Sequence, residues 1–369
     1  MSTIRQVEAQ AVNTDYRVQW TSHAKSCFVT TTIVRVTDSD GVQGIGGIDS
    51  FTPGQGDLSV LEAVRSLAPA FVGRESSDRE AFAQELRVGV VFPFSPGPLA
   101  VLDIALWDLA ARRARTPLFR LLGAVRERIT AYASLETMEC EDDYLEVVTQ
   151  AKESGLRAIK VHAWGEPDRD VSLFGRLRTE HPDLTLMHDA EGVYDHRGAL
   201  RAARALEELD CRWLEAPLPD FDLTGYRELR RRVDVPILPA GYAMWDVRQL
   251  VDALRDAPWS AARSDVTCTL GITGLRKLSA VAQAFDMDLE PVSYGHALTQ
   301  FASLHVMLAS SNVSYFEMAY PTEPWEFGVV NPIRADAEGM VTVPEADGLG
   351  IELDWELLES RTIAKCVAC

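Results

Sequence analysis

The 369-residue sequence predicts an α/β protein in which an α+β unit precedes a closed parallel barrel. Three observations carry this expectation. Eight short apolar segments recur through the second part of the chain, with amphipathic stretches between them. No glycine-rich phosphate loop follows the first of these segments, which counts against an open dinucleotide-binding sheet. Acidic and basic residues recur at the C-terminal ends of the same segments, where parallel barrels carry their functional side chains.

Residues 27–36 (CFVTTTIVRV) alternate and are β-branched, which predicts a strand. An Asp40-Gly41 turn leads into a second strand near 42–48. Helical periodicity follows at 57–70, 78–88 and 98–115, the last ending before Pro117. Residues 1–125 therefore read as one unit, strands first and helices after. Strands are then expected at 129–134, 158–163, 184–189, 211–216, 235–240, 262–267, 287–292 and 313–318. Amphipathic segments at 143–154, 197–209, 222–232, 246–255 and 273–285 supply crossovers, so 126–325 reads as the barrel. Residues 326–369 are loop-rich and are expected to return to the N-terminal unit.

A hydrophobic content of 47% is enough to fill a large core. The formal net charge of −19 argues against nucleic acid and anionic membranes as partners, since neither would meet a basic face. No apolar run approaches the roughly 18–20 residues of a membrane span. The N-terminus lacks the apolar stretch of a signal peptide, so a cytoplasmic location is expected. The six cysteines then read as reduced thiols. Cys366 and Cys369 have redox spacing but lie at the end of the chain rather than opening a helix.

Seven polar residues fall in phase at strand ends: Lys160, His162, Asp189, Glu191, Glu215, Asp265 and Glu317. Each alone could be a helix cap or a satisfied core group. Together, about one β/α repeat apart, they can converge on one barrel mouth. Strand alternation puts Lys160 and His162 on one face, and likewise Asp189 and Glu191.

These residues sit within longer motifs: LDIALWDLAARRARTPLFRLLG, GLRAIKVHAWGEPDRD, LMHDAEGVYD, WLEAPLPDFDLTGY, RSDVTCTLGITGLRKLSAVAQAF and SYFEMAYPTEPWEFGVVNPI. With them the chain resembles the enolase superfamily, in its mandelate racemase-like branch of sugar-acid dehydratases and racemases. The resemblance implies an α+β capping domain over a (β/α)7β TIM-like barrel, and homo-oligomers are common among similar proteins. It also implies Mg²⁺ held by three acids on consecutive strands, and abstraction of the proton α to a carboxylate to form an enediolate.

Residue by residue, the resemblance makes Asp189 and Glu215 the first two metal ligands, but the third position is Gly241. Mg²⁺ binding is therefore expected to be weakened, with Glu191 as the compensating acid and Gly241→Glu as a change that would strengthen it. Lys160 is the expected base, its pKa lowered by burial beside cations, and His162 its partner or a proton donor. Asp265 matches an acid that orients a seventh-strand histidine, but that position is Val292, and His296 lies in the loop beyond. Glu317 is expected to hold the substrate carboxylate. Segments 14–25 and 46–56 are expected to cover the barrel mouth, making Tyr16, Trp20 and His23 substrate-binding candidates along with Tyr242 and His296.

The expected function is lyase or isomerase chemistry on a small carboxylate, a sugar acid or hydroxylated imino acid, with dehydration first. A metal-independent isomerase or cyclase is an alternative, as is a ligand-binding homologue without activity. With Val292 unable to accept a proton, proton transfer is expected on the Lys160/His162 face, which favours elimination over racemisation.

Overall fold

The computed structural model describes residues 2–20, 22, 25–89, 96–243 and 246–369. The N-terminal unit is a four-stranded antiparallel sheet of β1 (Ile4–Val18), β2 (Cys27–Asp38), β3 (Gln43–Thr52) and the C-terminal β13 (Thr362–Ala368). Its order is β13-β1-β2-β3, with Val7 opposite Ala368 and Val36. β1 was not anticipated: residues 14–18, expected as part of a mouth-covering loop, continue this strand. Its side chains alternate too weakly for periodicity to reveal it, and pairing on both sides holds it extended.

The helix Gly97–Arg113 is buried on nearly every side, as its apolar sequence requires. The cap sheet lies on it so closely that a Cβ at Gly44 would stand 2.2 Å from the Ala105 carbonyl oxygen. Two buried carboxylates of this helix fasten the molecule together. Asp103 accepts the amide (2.9 Å) and hydroxyl (2.6 Å) of Thr273, on the barrel helix Gly271–Ala284. Asp108 accepts the amides of Ile45 (2.8 Å) and Leu349 (2.6 Å) and pairs with Arg112 at 2.8 Å. A single side chain thus ties β3, the helix and the C-terminal segment.

The C-terminal domain is a TIM-like barrel of eight parallel strands, β4 (Ile129–Leu135), β5 (Ala158–His162), β6 (Thr185–Asp189), β7 (Trp213–Glu215), β8 (Ile237–Leu238), β9 (Ala261–Asp265), β10 (Asp288–Val292) and β11 (Tyr315–Tyr320). Ladders run continuously from β11 through β4 to β8, and between β9 and β10. The seams are bridged by Ser260 N–H to Ile237 O (2.8 Å) and Leu289 N–H to Asn312 O (2.8 Å). A short β12 (Met340–Val341) pairs antiparallel with β4. Among the described residues no helix is long and apolar enough to cross a membrane.

Inside the barrel, Tyr132, Ala158, Met187, Trp213, Leu238 and Ala261 form an apolar layer. Because strand side chains repeat every second residue, four of these six place a charged group on the same inward face two positions later: Lys160 above Ala158, Asp189 above Met187, Glu215 above Trp213 and Arg263 above Ala261. The register sets their height, pairing His162 with Asp189 and Asp189 with Glu215.

Asp108→Ala should lower the unfolding free energy by about 3 kcal/mol, because two buried amides and Arg112 lose their acceptor together. Urea unfolding checks this; a change below about 1 kcal/mol would mean that the cap and C-terminal segment do not depend on Asp108.

Candidate active site

Above the apolar layer opens a cavity of ≈ 570 Å³, within the size range of small-molecule sites. Lys160, His162, Asp189, Glu191, Glu215, Tyr242, Asp265 and Glu317 all line it, and so does Trp20. At its floor the Lys160 ammonium meets three carboxylates: Glu317 at 2.6 Å, Asp189 at 3.1 Å and Glu215 at 3.1 Å. Arg263, from the opposite wall, reaches Glu215 at 2.7 Å and Glu317 at 2.9 Å. Ser134 donates its hydroxyl to Glu317 at 2.8 Å. Arg263 was not singled out from the sequence, although a signal exists. It stands two residues before Asp265 and so shares its inward face.

The pKa direction expected for Lys160 is corrected by these neighbours. Burial alone would depress its pKa, but the Glu215 and Glu317 carboxylates more than reverse this and hold it well above the ordinary lysine value. Its neighbours are mainly anions, not the cations that would lower a lysine pKa, and they favour its charged form. Glu317 is likewise altered. Burial disfavours its ionised form, but Lys160 and Arg263 outweigh this and hold its pKa at about 2. Ionised, it accepts hydrogen bonds and cannot donate one to a substrate carboxylate; it anchors the two cations instead.

His162 has Nδ1 2.6 Å from the Leu135 carbonyl oxygen, which can only accept, so Nδ1 carries hydrogen. Its Nε2 faces Asp189 (3.1 Å) and Glu191 (3.2 Å). Burial works against the imidazolium, but Asp189 and then Glu191 prevail and raise the pKa to about 10. Glu191 reaches this position differently than strand alternation suggests. β6 ends at Asp189, and Glu191 sits beyond it with φ +53°, its amide bonded to Asp189 Oδ1 at 3.0 Å.

The flanking candidates separate. Trp20 lines the cavity and packs edge-on against Phe51 with centroids 5.1 Å apart. Tyr16 stands behind it, edge-on to Trp325 and donating to Glu136, which also accepts from Tyr294 at 3.2 Å. Tyr16 is thus a support of the aromatic wall rather than part of its lining. Tyr242 lines the cavity with 54% of its surface exposed. His296 does not reach the cavity. It caps the helix Ala297–Leu308, its Nε2 is 2.7 Å from the Phe327 oxygen, and its Nδ1 accepts from Leu298 at 3.3 Å, so both ring nitrogens are engaged. His23 lies outside the described residues.

A magnesium held by three acids does not fit this site. Gly241 has φ +90°, and a Cβ there would stand 2.6 Å from the Arg263 carbonyl carbon and oxygen. The surrounding loop is closed by Asp220, whose carboxylate accepts the amides of Ala240, Gly241, Tyr242 and Ala243 at 2.7–3.2 Å. Both oxygens of Glu215 are engaged by Lys160 and Arg263. The carboxylates Asp189, Glu215 and Glu317 are already balanced by Lys160, His162 and Arg263. His162, Asp189 and Glu191 can bring ligand atoms within 4.8 Å of one another, a mixed nitrogen and oxygen set rather than the all-oxygen shell magnesium prefers.

The sequence-based expectation for Gly241→Glu is therefore reversed. The substitution should leave Mg²⁺ affinity no higher by calorimetry and should destabilise the fold by at least about 2 kcal/mol, from the positive φ and the backbone contact. Tighter Mg²⁺ binding by a stable variant would show that this loop can reopen.

Comparison with known proteins accords with the two-domain fold. Residues 3–123 match the mandelate racemase/muconate lactonizing enzyme N-terminal domain, and 143–357 match the enolase C-terminal domain-like family. A 3,6-anhydro-alpha-L-galactonate cycloisomerase of Streptomyces coelicolor is 32% identical over 88% of this chain and 89% of its own. A crystal structure of a mandelate racemase/muconate lactonizing enzyme-type protein from Pseudovibrio sp. superposes with TM-score 0.96 at 32% identity, covering 99% of both chains. The L-talarate/galactarate dehydratase of Salmonella typhimurium, solved with Mg and L-lyxarohydroxamate, superposes with TM-score 0.89 at 23% identity, covering 100% of this chain and 94% of its own. With both domain models matched and the charged groups gathered at the barrel mouth, the chain belongs to the mandelate racemase/muconate lactonizing enzyme family of the enolase superfamily.

Proposed function

We propose that the protein is a lyase that dehydrates a sugar acid through removal of the proton α to its carboxylate. The observation that carries this reading is the arrangement of Lys160, Arg263 and His162 along one cavity large enough for such a substrate. Lys160 and Arg263 are permanent charges held in place by Glu215 and Glu317. In this reading a substrate carboxylate competes with the Glu215 and Glu317 contacts at Lys160 and Arg263, which then stabilise the extra negative charge that develops on it as the enediolate forms. Preorganised cations in a low-dielectric site stabilise such charge without reorganising.

His162 retains a proton at neutral pH and suits the role of acid. It would protonate the β-hydroxyl as the carbon–oxygen bond breaks, so that water leaves and the enol relaxes to a 2-keto-3-deoxy acid. None of these steps passes through a metal ion. The similarity to a cycloisomerase supports a second reading, opening of an anhydro sugar acid, in which the same acid protonates a ring oxygen. Product mass separates the two, because dehydration removes a water and ring opening leaves the mass unchanged.

Incubation with a panel of aldonic, aldaric and anhydro-aldonic acids, read by NMR and mass spectrometry, tests the proposal. His162→Asn should lower kcat for loss of the β-oxygen by about 10²–10⁴-fold. A fully active His162→Asn enzyme, or a wild type that converts none of these acids, would overturn it.

A further inference from the structure

A base is still required, and the charges on the Lys160/His162 wall do not provide one. The Lys160 Nζ is engaged by Asp189, Glu215 and Glu317, and His162 has Nδ1 against the Leu135 carbonyl oxygen and Nε2 against Asp189 and Glu191, which is itself engaged there. Asp49, on the cap, is occupied by the Thr31 hydroxyl and the His296 amide.

The barrel places one carboxylate opposite. β5 and β9 are the second and sixth of eight strands, half a turn apart around the ring, so His162 and Asp265 end facing strands across the cavity. Asp265 Oδ1 accepts the Thr267 amide at 2.6 Å and its hydroxyl at 2.8 Å, which fixes the carboxylate. Among the described residues Oδ2 accepts no hydrogen bond. Val292, its register partner on β10, also lines the cavity and carries no polar atom that could come between Asp265 and a substrate.

Resting on the dehydratase reading above, we propose that Asp265 is itself the general base, taking the α-proton from the face opposite His162. The C–H electron pair moves into the bond between the α-carbon and the carboxyl carbon, forming the enediolate, and Asp265 becomes a carboxylic acid. Collapse of the enediolate expels the β-oxygen, which takes its proton from His162 and leaves as water. The α-proton passes from Asp265 to solvent, and His162 is reprotonated from solvent. Hydrogen and hydroxyl thus leave from opposite faces. Burial, with smaller contributions from Glu317 and Asp49, pushes the Asp265 pKa up to about 6 against the pull of the Thr267 bonds. That leaves it a stronger base than an ordinary aspartate yet ionised at neutral pH.

This assignment moves proton abstraction away from the Lys160/His162 face expected from the sequence. It leaves elimination favoured over racemisation, because the opposite face carries an acid committed to the leaving group.

The test is α-hydrogen exchange in D₂O, followed by NMR alongside dehydration. Asp265→Asn should lose both exchange and dehydration by at least about 100-fold, whereas His162→Asn should lose dehydration and retain exchange. Asp265→Glu, which keeps a carboxylate, should recover part of the exchange; a purely structural role would not produce this split. The wild-type kcat/KM should fall as pH drops below about 6 through protonation of Asp265, whose carboxyl is faced by Asp49 of β3, Tyr242 after β8, Glu317 of β11 and Cys268 of its own segment. Asp265→Asn exchanging at the wild-type rate overturns the assignment while leaving the dehydratase reading intact. A wild type that neither exchanges nor dehydrates any acid offered overturns both.

Discussion

Opposite charges gathered at the mouth of the barrel are the constraint on which the rest of the site depends. Lys160, Arg263, Asp189, Glu215 and Glu317 are each almost fully buried. An isolated charge in such a place would be neutralised or would unfold its surroundings. Each is tolerated because strands β5, β6, β7, β9 and β11 deliver its partners to the same height. Ladder register is therefore a functional quantity here. A slip of one residue in β5 would turn Lys160 outward and leave three carboxylates facing one another.

The same cluster bears on the metal site that the family resemblance implies. Where that resemblance expects a third acid, the chain has Gly241, close against the backbone of Arg263. The guanidinium of Arg263 then occupies the charge that Glu215 and Glu317 present. Its planar fork suits this position, since it can address two carboxylates on different strands at once. The Asp220 carboxylate gathers four successive amides of the Gly241 loop, so the glycine is part of a built turn and not merely a missing ligand.

Above the cluster, aromatic side chains from the cap and from the segments after β10 and β11 supply hydrophobic enclosure. Trp20, Phe51, Tyr294 and Trp325 pack mainly edge-on beside the opening, and Tyr16 and Tyr294 converge on Glu136 behind them. Excluding water from this side strengthens every charge interaction beneath it. The enclosure depends on the buried helix Gly97–Arg113, whose Asp103 and Asp108 connect cap, barrel and C-terminal segment.

The alternation of apolar strands with amphipathic helices determined the barrel, because period and length are local properties of the chain. So were the inward positions of Lys160, Asp189, Glu215, Asp265 and Glu317, each at the end of a recognisable strand. β1 was not legible, since its extended form is imposed by β2 and β13 from distant parts of the sequence. The charge states were not legible either. Whether Lys160 is a base or a fixed cation depends on three carboxylates that lie 29, 55 and 157 residues away and that only barrel closure brings within about 3 Å. Likewise, the resemblance expects an acid where the sequence has Gly241, but only the packed backbone shows that a side chain there would meet the Arg263 carbonyl. Residue type and periodicity are written locally; electrostatic role is a sum over neighbours, and the neighbours are chosen by the fold.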